Sequence, residues 1–259
     1  MKGNQCNNQF ITPDGYTSDI AVFTITSESK GEYKPPLKKL NIMLIKRSEH
    51  DHEGNPNIEA GKWALPGGFV RPNETALEAA NRKLQEETGV NGLRIKHFGV
   101  YDSTNRDRRG WIISNAHYVI VNQELLRNRK TTYDASDIRL FSLEEALSLD
   151  LAFDHRTIID DAIWFIRKDM ALTTLAKHFL PDEFVLSELQ GVLLTVLDDP
   201  VISTDAAFFR KAPTLPFIEP VYENGKLAKS NHYSKTPAQL YRFNDFQPIV
   251  SVYNPKLKR

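Results

Sequence analysis

The chain has 259 residues, 41% hydrophobic and 25% charged, an ordinary balance for one large or two modest globular domains at about 150 residues each. Lys plus Arg and Asp plus Glu both number 33, so the total charge singles out no partner. The one cysteine, Cys6, excludes an internal disulfide and a cysteine-based zinc site. No run of about 18 apolar residues is present and the polar start MKGNQCNNQF lacks the apolar centre of a signal peptide, so a cytoplasmic protein without a membrane span is expected.

Apolar, β-branched runs predict strands at 19–26 (DIAVFTIT) and 40–47 (LNIMLIKR), joined by a polar segment with a Pro pair. A long polar loop leads to WALPGGFV (63–70), which Pro-Gly-Gly interrupts. ETALEAANRKLQEET (74–88) reads as a helix, with Leu77, Ala80 and Leu84 as its apolar stripe and Gly89 as its stop. Strands follow at 93–101, 110–121 and 138–142. Strands mixed with a helix, without strict alternation, predict an α+β domain on a mixed sheet.

From about Ser142 the pattern turns helical. Ser142 and Glu145 have the spacing of a capping box, and 153–172 reads as a long amphipathic helix. Two more helices are expected within 173–200, the second from about Leu186. A short one follows over 203–212, with Ser203 as its N-cap and Pro213 beyond it. Residues 217–243 read as strand, basic Asn-Gly turn, strand. Three helices and then a β-hairpin is the order of a winged helix-turn-helix. From Ser203 onward nine basic residues stand against four acidic ones, a local excess that the neutral total hides. The division expected is 1–152, connector helices over 153–178, and a winged helix over 179–259.

The stretch 63–90 resembles the Nudix box: Gly68, Glu74, Arg82, Leu84, Glu86, Glu87, Gly89 and Val90 all fall in register over 23 residues. One position departs, since Lys83 stands where the motif has a glutamate. Residues at i, i+3 and i+4 share one face of a helix, so carboxylates there can hold Mg²⁺ on a diphosphate. Lys83, Glu86 and Glu87 occupy those positions here. An ammonium has no lone pair, cannot ligate a metal and repels one; a salt bridge from Lys83 to Glu87 is expected instead. The positions Arg82, Lys83, Glu86 and Glu87 therefore read as a degenerate site without a metal, although the two retained glutamates leave a hydrolase reading open. A nucleotide diphosphate could still meet Gly67, Gly68, Phe69, Lys83, Glu87 and the arginines of NRDRRGW (Arg106, Arg108 and Arg109), because guanidinium forks match phosphate oxygens. Such an Arg-Asp segment resembles the pocket of ADP-ribose-handling Nudix proteins. Phe69 and Tyr101 read as core more readily than as base-stacking residues.

A degenerate Nudix domain followed by a winged helix resembles the Nudix-related transcriptional regulators of the NrtR type. The segments 151–163, 180–193 and TPAQLYRF (236–243) resemble that group's connector helix, the start of its DNA-binding domain and its closing wing strand; Thr236 replaces an expected basic residue. The resemblance implies an α/β/α Nudix fold with a mixed sheet followed by a winged helix. It implies a homodimeric repressor of NAD synthesis or salvage genes, which binds double-stranded operator DNA, answers to ADP-ribose or a related nucleotide, and requires no cofactor. Independently of it, Ser203, Thr204, Arg210 and Lys211 on the short helix, and Lys226, Lys229, His232 and Lys235 on the wing, are placed to meet phosphates or a groove, with Phe208 in the core. The short helix is poor in base-reading Asn, Gln and Arg.

Overall fold

The computed structural model describes residues 12–50, 54–89, 93–128 and 135–246. Cys6, Val90 and the terminal stretch 247–259, with its basic Lys256, Lys258 and Arg259, lie outside them.

The first half is built on one seven-stranded sheet. Its strands are β1 (Gly15–Glu28), β2 (Leu37–Arg47), β3 (Trp63–Ala64), β4 (Gly67–Phe69), then, after helix α1 (Ala76–Thr88), β5 (Lys96–Tyr101), β6 (Ile112–Ile120) and β7 (Ala135–Ser142). The order is β3-β2-β1-β6-β5, with β4 paired to β1 and β7 to β2. β1 runs parallel to β6 and antiparallel to β2 and β4, so the sheet is mixed.

The alternation of side chains along β1 explains the layers. Ile20 and Val22 point to one face, where they pack with Ala80 and Leu84 of α1. Ala21, Phe23 and Ile25 point to the other, against Ile158, Ile159 and Ala162 of the long helix α3 (His155–Leu172). Each fully buried Leu, Ile or Phe here is worth about 1.5–3 kcal/mol. The sheet thus lies between two helical layers.

α1 starts where a full capping box closes it: Thr75 Oγ1 accepts from the Glu78 N–H, and Glu78 accepts from the Thr75 N–H at 2.7 Å. Gly89 stops it in the left-handed region at φ 74°. The expected apolar stripe holds for Ala80 and Leu84, but Leu77 is 46% exposed, outside the contact with the sheet. The expected Ser142–Glu145 box caps α2 (Leu143–Ser148).

α3 is fastened to the sheet by a column of carboxylates. Asp154, immediately before it, takes the fork of Arg106 at 2.9 and 2.7 Å. Asp161 accepts from the Tyr101 hydroxyl at 2.7 Å, and buried Asp169 accepts from the Tyr118 hydroxyl and Lys96. Tyr101, read as core, is instead half-buried and holds the helix.

Beyond a 3₁₀ turn (Leu175–Phe179) come β8 (Phe184–Val185), α4 (Leu186–Leu193), α5 (Pro200–Ser203) and α6 (Asp205–Lys211). Then follow β9 (Ile218–Pro220), β10 (Tyr222–Glu223), β11 (Lys226–Leu227), β12 (Lys229–Ser230) and β13 (Ala238–Phe243). β13 pairs with β8, β9 and β12, while β10 and β11 form a hairpin whose Asn224 and Gly225 both have positive φ, the type I′ signature. This is a winged helix-turn-helix. Buried Gln190 of α4 clamps it, donating to Ile202 O at 2.8 Å and Asp205 Oδ1 at 2.9 Å. Its core, with Phe184, Leu189, Phe208 and Ile218, is continuous with the α3 side of the sheet.

The short helix differs from expectation at its start. Ser203 ends α5, and Thr204 is the residue that precedes α6. Asp199 caps α5 ahead of Pro200, so a separate helix takes Ser203, and the helix expected over 203–212 begins only at Asp205.

Candidate functional site

A cavity of about 810 Å³ opens between β4, α1, the loop before β6 and the residues that lead into α3. That volume lies within the usual range for small-molecule sites. Gly67 and Gly68 form its floor because β4 pairs with β1 there, Asp19 opposite Gly67 and Ser18 opposite Gly68. A Cβ on Gly67 would lie 2.4 Å from Asp19 Oδ1 and 2.6 Å from the Ser18 carbonyl, so only glycine allows the approach.

α1 presents its charged face to this floor. Arg82 forks onto Glu74 at 3.0 and 2.5 Å and also donates to the Phe69 carbonyl at 3.2 Å, which ties helix to strand. The fork holds the Glu74 carboxyl down at about 2. Lys83 lies with its stem over Gly68 and its ammonium 3.4 Å from Glu86, largely out of solvent. This ion pair is with Glu86, one residue before Glu87 on the same face. Glu87 is buried.

This donor set does not fit a divalent cation. Hard cations need several oxygen ligands, and here a fixed ammonium sits at Glu86, whose other side Arg82 approaches at 3.4 Å.

The three arginines of 106–109 have three different fates. Arg106 lines the cavity but is buried and occupied: it forks onto Asp154 and stands 3.6 Å from Asp19. Arg109 lines the cavity with its guanidinium held by Asp107 at 2.6 Å, between the rings of Phe69 at 4.9 Å and Phe153 at 5.6 Å. Arg108, expected at the ligand, is exposed and outside the cavity wall. Phe69 is not core, being 46% exposed with its ring on the cavity.

Several wall residues escaped the sequence reading. Arg47 lies over the Phe153 ring at 5.1 Å, and Arg71 and Asp19 complete the charged lining. Phe153 adopts φ 53°, a costly conformation for a bulky residue, exactly where the chain turns into α3. His155 is buried beside it, and its Nδ1 accepts from the Leu65 N–H at 2.9 Å; burial lowers its pKa, so the ring is neutral. Phe153 and His155 fall in a stretch that the sequence pattern read only as the start of the long helix.

In the winged helix, all eight residues expected at DNA are exposed: Ser203, Thr204, Arg210 and Lys211 around α5 and α6, Lys226 on β11, Lys229 on β12, and His232 and Lys235 in the following loop. Phe208 is buried, as expected, while its neighbour Phe209 is 40% exposed on α6.

A glycine-floored pocket under a Glu- and Arg-bearing helix on a mixed sheet defines a Nudix fold, and the NUDIX domain family model matches residues 17–162. The chain belongs to the Nudix family. It is 30% identical over 229 residues to the ADPR responsive transcriptional repressor NtrR of Acinetobacter baylyi, covering 88% of this chain and 81% of that one. It is also 38% identical over 125 residues to the ADP-ribose pyrophosphatase of Methanocaldococcus jannaschii, covering 48% of this chain and 66% of the relative. Shewanella oneidensis NrtR, solved with a 27mer DNA, matches 91% of this chain and 98% of its own at 23% identity and a TM-score of 0.64, a likeness of fold across both halves. No helix among the described residues is long and apolar enough to cross a membrane.

Proposed function

We propose that the protein is a DNA-binding transcriptional repressor whose Nudix pocket receives ADP-ribose or a related nucleotide as effector rather than hydrolysing it. Lys83 carries this reading: an ammonium within the carboxylate face of α1 removes the means of holding a metal while leaving a cationic, aromatic-walled pocket. The repressor relative, similar over most of both chains, supports the same reading. The roles proposed follow the positions. Gly67, Gly68, Phe69, Lys83, Glu87, Arg106 and Arg109 serve the effector; Arg108 serves it only as part of the loop. Ser203, Thr204, Arg210, Lys211, Lys226, Lys229, His232 and Lys235 serve operator DNA. The division into 1–152, 153–178 and 179–259, a homodimer, cytoplasmic action and control of NAD synthesis or salvage genes belong to the same proposal.

The second reading, an ADP-ribose pyrophosphatase, draws on the retained Glu86 and Glu87 and on the archaeal relative. One experiment separates the two: anisotropy of a labelled promoter duplex with and without ADP-ribose, beside an ADP-ribose hydrolysis assay with Mg²⁺. Ligand-sensitive binding that weakens steeply with salt, without turnover, is the expected result. Turnover well above a Glu86→Gln control, with no specific DNA binding, reverses the assignment.

A further inference from the structure

Among the described residues, six cations line the cavity, namely Arg47, Arg71, Arg82, Lys83, Arg106 and Arg109. Four carboxylates face them: Asp19, Glu86, Glu87 and Asp107. His155 adds no charge, since its Nδ1 accepts a hydrogen bond. Glu74 and Asp154 stand behind the wall on Arg82 and Arg106. Even with those two counted, the pocket is neutral, not negative; the lining alone carries two positive charges.

Lys83 decides that balance. A carboxylate at this position would make the lining neutral, and a divalent cation would then be needed to return it to the same charge. An ammonium in place of a carboxylate supplies those two charges permanently. It is also held where it acts: the stem lies against Gly68, whose missing side chain leaves the space, and Glu86 fixes the head. A diphosphate esterified at both ends carries two negative charges at neutral pH. The aromatic walls at Phe69 and Phe153, each in contact with an arginine, suit the flat group on one end of such a molecule.

We infer that this pocket binds doubly esterified nucleoside diphosphates without a divalent cation, the Lys83 ammonium standing in for the charge of the metal. The inference rests on the reading of the pocket as a nucleotide receptor. Magnesium is then no aid to binding.

The test is calorimetric titration of the full chain with ADP-ribose, once in EDTA and once in Mg²⁺. For the unaltered protein the two affinities should agree within about twofold. Lys83→Glu, which places three carboxylates on one helix face, should lose on the order of a hundredfold in EDTA and regain about tenfold with Mg²⁺. Lys83→Gln should lose about tenfold equally in both. Lys34→Glu, the same charge reversal on an exposed residue elsewhere, should change neither affinity. Binding by the unaltered protein only in Mg²⁺ overturns this inference alone and leaves the receptor reading standing. No binding in either condition overturns both. Should Lys83→Glu fail to fold, the unaltered protein and Lys83→Gln decide.

Discussion

Gly67 shows how a single missing side chain shapes the site. The Asp19 carboxylate fills the space a Cβ would need, and Ser114 Oγ donates to the same carboxylate at 2.5 Å. Gly67→Ala must push β4 off β1, so a loss of about 1–3 kcal/mol is expected in denaturant unfolding, together with weakened ligand binding. Gly68→Ala meets only the flexible end of Lys83 and should fold nearly as well while displacing that ammonium. His117 is a second residue with a readable consequence. It is buried on β6 with its Nδ1 3.1 Å from Ser18 Oγ; burial, and then His97, lower its pKa to about 4. The unfolded chain binds that proton near pH 6.5, the folded chain only near 4. Stability is therefore fully present above pH 6.5 and declines as pH falls from there to 4. Melting temperature followed over that range should show the decline, and His117→Gln should flatten it. At this scale the sequence was most legible where chemistry is local. Lys83 was visible as a misplaced charge because its neighbours sit three and four residues away. Asp19, Arg47 and Phe153 were not, because strand pairing and a turn far along the chain bring them to the same wall.

Among the elements, the helices were read correctly where caps are written in adjacent residues, as at Ser142–Glu145 and at Gly89. α6 was misread at its start because Ser203 and Thr204 are both good capping residues, and Asp199-Pro200 one turn earlier had already begun a helix of its own. The wing was legible from Asn224-Gly225, a pair that adopts positive φ cheaply. The partners of β13 were not, since β8 and β9 are two- and three-residue strands without any pattern of their own. What sets α6 at its angle is Gln190, whose one amide reaches both Ile202 and Asp205. Gln190→Ala leaves the buried Ile202 carbonyl without that donor, at a cost of about 1–3 kcal/mol. Thermal unfolding should register that loss, and DNA affinity should fall even below the melting point because α6 is no longer held. Phe209 stands exposed on the same helix.

Across the whole molecule, one apolar core and one helix join pocket to winged helix, and the joint carries a charge that belongs to both. Arg106 is part of the cavity wall, yet its fork holds Asp154 at the head of α3. Asp154→Asn removes one partner of a mostly buried pair, and a loss of about 3 kcal/mol is expected. Its more telling effect is on coupling: anisotropy titrations should show DNA affinity nearly indifferent to ADP-ribose, while calorimetry still detects the ligand. Unaltered ligand sensitivity in Asp154→Asn would remove this pair from the coupling path.

The three carboxylates of α3 also fix what kind of movement such coupling allows. At about 1.5 Å per residue, Asp154, Asp161 and Asp169 pin a rod at three points roughly 10 to 12 Å apart. If an anion draws Arg106 away, only the first pin is released. A rod still held at Asp161, before its middle, and at Asp169, near its end, cannot slide along its axis; it can only pivot about the line joining those points or bend ahead of the first. The winged helix beyond Leu172 then receives a turn and hardly any shift. In the proposed two-fold dimer that would alter the aim of the paired α6 helices more than the gap between them, and the effector would then change which helical phase of the operator fits. Adding one base pair between the half-sites should offset or exaggerate the effector's influence, whereas a device that merely parted the two halves would respond to spacer length without regard to phase.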